Sequence, residues 1–128
     1  MSHFSQIKTQ IRNLPSLKAA LDDLGVDWKA GPRDVRGYRG QTQTAEVVVE
    51  QDNGYDVGFV WNGHEYELVA DLQFWKQSSS VDRFLSKVTQ RYAYHTIVNE
   101  GSHKGFQVAE QKTNQDGSIR LVLQRWSA

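Results

Sequence analysis

Apolar residues return at every second position through Val47 to Glu50, Tyr55 to Trp61 and His64 to Ala70, the period of a half-buried strand. Asn62-Gly63, between the last two runs, predicts a two-residue type I′ hairpin. Such a turn sets Trp61 against His64, Phe59 against Tyr66, Val57 against Leu68 and Tyr55 against Ala70. Asp52-Asn53-Gly54 suits a three-residue hairpin that sets Val49 against Val57, Val47 against Phe59 and Ala45 against Trp61. Both turns gather their apolar residues on one face. The opposite face pairs Val60 with Glu65, Gly58 with Glu67 and Asp56 with Val69, as in a sheet that is wet on one side. A three-stranded meander from about residue 45 to residue 70 follows.

From Val81 the period lengthens. Val81, Phe84, Leu85, Val88 and Tyr92 draw a stripe down one side of a helix, with Ser80 as its N-cap and Gly101 as its stop. A shorter helix starts at Asn13-Leu14-Pro15-Ser16, carries Leu17, Leu21 and Leu24 on one side, and ends at Gly25. Residues 3 to 11 fit both periods, since Phe4, Ile7 and Ile11 have helical spacing while Ile7, Thr9 and Ile11 alternate; a strand is favoured. Residues 29 to 43, rich in Gly and Arg and poor in apolar side chains, are expected to be an exposed connection. Phe106 to Lys112 and Ser118 to Trp126 are strand-like and join through Asn114-Gln115-Asp116-Gly117, with a register that the pattern leaves open. The order β-α-βββ-α-ββ describes an α+β two-layer sandwich, a mostly antiparallel sheet with two helices on one face, close to ferredoxin-like topology.

A chain of 128 residues suits one domain spanning 1–128, which buries roughly two thirds of its unfolded surface. Fifteen basic residues balance fifteen acidic ones, so no global field draws the protein to nucleic acid or to an anionic membrane. Cysteine is absent, which excludes disulfides, thiolate-held metals and cysteine nucleophiles. Met1-Ser2-His3-Phe4-Ser5 has no basic region followed by an apolar run, so a soluble, unexported protein is expected.

Met1-Ser2-His3-Phe4, Ile7-Lys8-Thr9-Gln10-Ile11, Arg36-Gly37-Tyr38-Arg39-Gly40, Tyr55-Asp56-Val57-Gly58-Phe59, Gln90-Arg91-Tyr92-Ala93-Tyr94-His95 and Asp116-Gly117-Ser118-Ile119 together resemble the Ycf35 family, also designated DUF1257, over essentially the whole chain. The resemblance implies a cyanobacterial cytoplasm or a plastid stroma, and it brings no biochemical activity with it. It further implies association: genes of such proteins can lie near those for ferredoxins, AAA ATPases and another small protein, which points to a shared complex.

Within Gln90 to His95, Tyr92 points with the apolar stripe while Tyr94 points about 160° away. Tyr92 therefore belongs to the core. Arg91 and His95, one turn apart, are placed to tie the helix to the sheet edge. Tyr94 beside Arg91 has the composition of a binding hot spot. Phe74 and Trp75 either roof the core or project as an anchor, with roofing favoured. Arg33, Arg36, Tyr38 and Arg39, on a Gly-rich loop with Lys29 nearby, could grip phosphates or stack on bases; the competing structural role bonds that loop back to Asp56 or Glu65.

His3, His64, His95 and His103 lie in no metal-binding spacing, and no GxSxG, P-loop or GxGxxG is present. Ser78-Ser79-Ser80 reads as loop and cap. No metal, cofactor or catalysis is expected. The leading expectation is a non-catalytic adaptor that binds a protein partner through Arg91, Tyr94 and Trp75. The alternatives are a nucleic-acid-binding module using Arg33, Arg36, Tyr38 and Arg39, and a small-molecule-binding or enzymatic domain with a helix-sheet pocket.

Overall fold

The computed structural model describes residues 3–116 and 118–125, with the side chain of Tyr38 outside that description. Met1, Ser2, Gly117 of the last turn and Trp126 at the end of the last expected strand also lie outside it. The described residues form β1 (Ser5–Ile11), α1 (Leu14–Asp23), β2 (Lys29–Arg36), β3 (Thr42–Val49), β4 (Val57–Trp61), β5 (Tyr66–Ala70), α2 (Val81–His103), β6 (Phe106–Thr113) and β7 (Ile119–Arg125). Five strands make one antiparallel sheet in the order β1-β5-β4-β3-β2, and β6 and β7 make a separate hairpin. This is an α+β sandwich. Strands β2 to β5 run as a continuous meander, and β1 closes on β5 at the far edge, so the strands are not interleaved as in a ferredoxin-like sheet.

The ambiguous N-terminal segment is a strand because Ile7 pairs with Leu68 and Ile11 with Tyr66 at the edge of the main core. In α1, Asn13 caps the first turn through its side-chain oxygen, which accepts from the Ser16 N–H at 2.9 Å, and Leu17, Ala20 and Leu21 are fully covered. Ser80 caps α2 likewise, accepting from the Arg83 N–H. Phe84 and Val88 then drop onto the same sheet face as Val47, Val57, Phe59 and Leu68. Each such side chain contributes about 1.5–3 kcal/mol of transfer free energy, which is why this stripe rather than local propensity holds a long helix.

Four expectations are corrected by the structure. Trp61 pairs with Tyr66 and Phe59 with Leu68, so the β4–β5 register is two residues from the one a type I′ turn gives. Asn62 prefers to close a longer loop: its Oδ1 accepts from the His64 and Glu65 N–H groups, and its own N–H donates to the Glu65 carbonyl. A shift of two preserves side-chain parity, so the apolar face survives. Gly101 does not stop α2. It lies buried inside the helix, under Leu123 and Phe106, and the helix ends at His103, followed by Gly105 at φ +84°.

Residues 29 to 36 are strand β2, paired with β3 through a bulge between Ala30 and Arg33. Beyond that bulge the β2–β3 hairpin folds back over the outer face of the sheet: the Asp56 N–H donates to the Arg36 carbonyl, and Val35 joins Ala45 and Val48 in a second apolar cluster edged by Phe4 and Val60. Ala45 therefore packs on the outer side and is not the partner of Trp61. The outer face is covered around Val48 and Gly58 and stays open towards β1, where Gln6 and Lys8 are exposed. Gly58 is where the layers meet, since a Cβ there would lie 2.3 Å from Val35 Cγ2.

Candidate functional site

The α1–α2 crossing collects the residues singled out in Gln90 to His95. Asp23, the last residue of α1, accepts from Arg91 Nε at 2.8 Å, pairs with the Arg91 guanidinium at 2.8 Å through Nη2, and lies 2.6 Å from His95 Nε2. Partial burial by itself raises the Asp23 pKa, but the bonds from His95 and Arg91 outweigh it and hold the carboxyl below its ordinary value. Arg91 and His95 thus fasten helix to helix, where the sheet edge was expected. Tyr92 turns inward, and its hydroxyl accepts from the Arg12 and Asn13 N–H groups at 3.1 Å, fixing the β1–α1 junction.

Tyr94 is left partly exposed but not loose. The Arg91 guanidinium lies 4.5 Å from its ring centroid, and the His95 ring meets it edge-on at 5.1 Å. Because Asp23 clamps both neighbours, the phenol ring is braced by α1 as well as by its own helix. One turn further on, Ile97 is 44% exposed. On the same side of α2, Arg83 and Lys87 are exposed, and neither makes an ion pair among the described residues. Arg83, Lys87, Gln90, Tyr94 and Ile97 therefore form one basic and aromatic stripe at helical spacing. Ile97 was not singled out in the sequence, although the phase set by Tyr92 already turns it about 140° from the core side of the helix.

Trp75 is set apart from that stripe. It packs into the main core, donates from Nε1 to the Ser79 carbonyl at 2.8 Å and meets Phe84 edge-on. Phe74 stacks on Tyr55 at 3.9 Å, and its carbonyl accepts from the Gln51 and Asn53 side-chain amides. Trp75 thus roofs the core, and Phe74 covers Tyr55 beside it.

The arginine loop is dispersed by the β2–β3 hairpin. Arg36 grips buried Asp56 in a bidentate pair, Nε to Oδ2 and Nη2 to Oδ1 at 2.8 Å, and Asp56 also accepts from the Arg36 and Gln51 N–H groups. Burial alone raises the Asp56 pKa, yet these bonds reverse the shift and keep it below its usual value. Arg33 and Lys29 share Glu50 on the exposed surface. Arg39, at φ 53°, sits in a short 3-10 turn with Tyr38 and Gly40. Carboxylates thus pair with both Arg33 and Arg36, while about half of each arginine side chain stays exposed.

A groove of about 300 Å³ lies between β1 and α2, walled by Ile11, Tyr92, Ala93, Thr96 and Ile97. Tyr92 is the one ionisable side chain lining it among the described residues, and its hydroxyl is engaged as above. No group of three His, Asp or Glu side chains among the described residues could hold a metal ion, and no helix there is long and apolar enough to cross a membrane.

A family model described as protein of unknown function, DUF1257, matches residues 20–122. Three similar proteins, each described as "Uncharacterized protein ycf35", come from Guillardia theta (50% identical), Cyanophora paradoxa (45%) and Pyropia yezoensis (42%), and the matches cover 98% of both chains for the first two and 99% for the third. No solved structure matches. Matches of this length and identity, over the strands and helices just described, place the chain in the Ycf35 (DUF1257) family.

Proposed function

We propose that this chain is a non-catalytic accessory protein, in a cyanobacterial or plastid setting, that works by binding another protein through the outer face of α2. The observation that carries the reading is the braced Tyr94 ring beside exposed Ile97, with Arg83 and Lys87 on the same side. A rigid, partly exposed aromatic next to an apolar side chain is the chemistry of an interface anchor, because little side-chain entropy remains to be lost on binding. The two free cations select a partner whose surface carries carboxylates around an apolar pocket. Arg91 acts here as a positioning residue through Tyr94, and Trp75 supports the fold beneath.

Affinity capture from native lysate tests this reading, with the wild type compared against a Tyr94→Ala, Ile97→Ser variant. The variant loses a partner that the wild type retains. Identical captured sets would contradict the proposal.

A further inference from the structure

The described strands leave four open edges: β1 and β2 on the large sheet, and β6 and β7 on the hairpin. An open edge offers unpaired N–H and C=O groups to any other strand, and proteins that stay monomeric blunt such edges with bulges, proline or charge. Three of the four are blunted. On β1 the register slips between Lys8 and Ile11, where Gln10 takes φ 62°, and Lys8 is exposed. On β2 the slip falls between Ala30 and Arg33 and includes Pro32, with charged Arg33, Asp34 and Arg36 beyond it. On β6 the extra residue is Ala109, followed by Glu110 and Lys112. In each pair the surplus lies on the named strand itself, two residues on β1 and one each on β2 and β6.

Strand β7 has neither bulge nor proline, and its two charges, Arg120 and Arg125, lie towards its ends. Ile119–Arg125 contains no glycine or proline and no surplus residue, and its centre is Leu121-Val122-Leu123, with Val122 37% exposed. The β6–β7 hairpin already rests on α2 through Phe106 and Leu123, and further strands would extend the apolar face that it begins.

We infer that β7 pairs with β7 of a second copy of this chain, antiparallel about a two-fold axis at Val122, giving a four-stranded sheet in the order β6-β7-β7′-β6′. The sequence suits self-pairing. In this register Val122 faces its own copy, Leu121 faces Leu123, Arg120 faces Gln124 and Ile119 faces Arg125, so no like charges oppose one another. Ile119, Leu121 and Leu123 of both copies then share one face, continuous with the point where Leu123 rests on Gly101 of α2. A formal net charge of zero adds no long-range repulsion between copies. The inference is independent of the α2 face and its partner.

Sedimentation equilibrium of the full chain tests it. The wild type sediments at twice the 14.6 kDa chain mass. Val122→Lys and Val122→Glu each place like charges on the axis and weaken association by about 100-fold, with unchanged far-UV circular dichroism, while an equimolar mixture of the two regains the dimer. Because the chain contains no cysteine, Val122→Cys supplies a second test that does not depend on disrupting the surface. Directly opposed Cα atoms about 4.5–5.5 Å apart allow a disulfide, so mild oxidation links two chains through position 122, and Gln6→Cys on β1 does not. A wild type that is monomeric at about 100 μM, a dimer indifferent to Val122→Lys, or a Val122→Cys protein that fails to cross-link would each overturn the inference.

Discussion

Replacing Asp56 with asparagine tests the lock between the β2–β3 hairpin and the sheet. Asp56 is 2% exposed, and its two oxygens divide four donors: Oδ2 takes the Arg36 N–H and Nε, while Oδ1 takes Arg36 Nη2 and the Gln51 N–H. An amide keeps one acceptor oxygen and turns the other into a donor. Whichever way it is oriented, two donors lose their acceptor, and one of them is a backbone N–H. An unsatisfied buried N–H costs about 1–3 kcal/mol. The ion pair itself adds about 0–1 kcal/mol, discounted because half of the Arg36 side chain faces solvent.

The expected loss for Asp56→Asn is therefore about 2–3 kcal/mol at neutral pH, read as a fall of about 1–2 M in the urea midpoint with an unchanged slope. A pH series adds a signature. The folded pKa of Asp56 lies below the unfolded value near 3.8, so its ionisation stabilises the fold fully above that value and the contribution is lost as pH falls through the lower folded value. Asparagine does not titrate, and the gap between wild type and variant narrows below pH 3.8. A neutral-pH midpoint within about 0.3 M of wild type, or a gap that stays constant into acid, would refute the reasoning.

Gly58→Ala forces a methyl group against Val35, 2.3 Å from its Cγ2, and is expected to destabilise by about 1–3 kcal/mol in thermal unfolding; a wild-type midpoint would mean that the two layers are not in contact there. Tyr92→Phe removes the acceptor of the Arg12 and Asn13 N–H groups while keeping the ring in the core. It should cost about 1–2 kcal/mol in urea unfolding and speed amide exchange at those two residues, and unchanged exchange would contradict the role given to the hydroxyl.

The parts of the fold legible in the sequence are those fixed by period. Val47, Val57, Phe59 and Leu68 reach the core because alternation decides their face, and an error of two residues at Asn62-Gly63 cannot change it. Strand β2 was hidden because it spends only Val35 on burial, and its other positions carry charge, proline, glycine or a single exposed alanine. What the candidate site lacked in the sequence was distance. Asp23 lies 68 residues from Arg91 and 72 from His95, and no spacing rule connects them. Once Asp23 is in place, Arg91 passes from binding residue to brace and Tyr94 becomes a fixed ring. Of the two carboxylates that the sequence offered to the arginine loop, Asp56 and Glu65, the loop takes Asp56, which the pattern had placed on a wet face and which is buried.

Quantitative affinity capture from native lysate addresses the outer face of α2 directly. Three baits are compared: wild type, Tyr94→Ala with Ile97→Ser, and Arg33→Ala on the opposite edge strand. A protein retained by the wild type and by Arg33→Ala but lost from the α2 variant is the predicted result. A partner set unchanged by the α2 variant, or one lost only with Arg33→Ala, would contradict it.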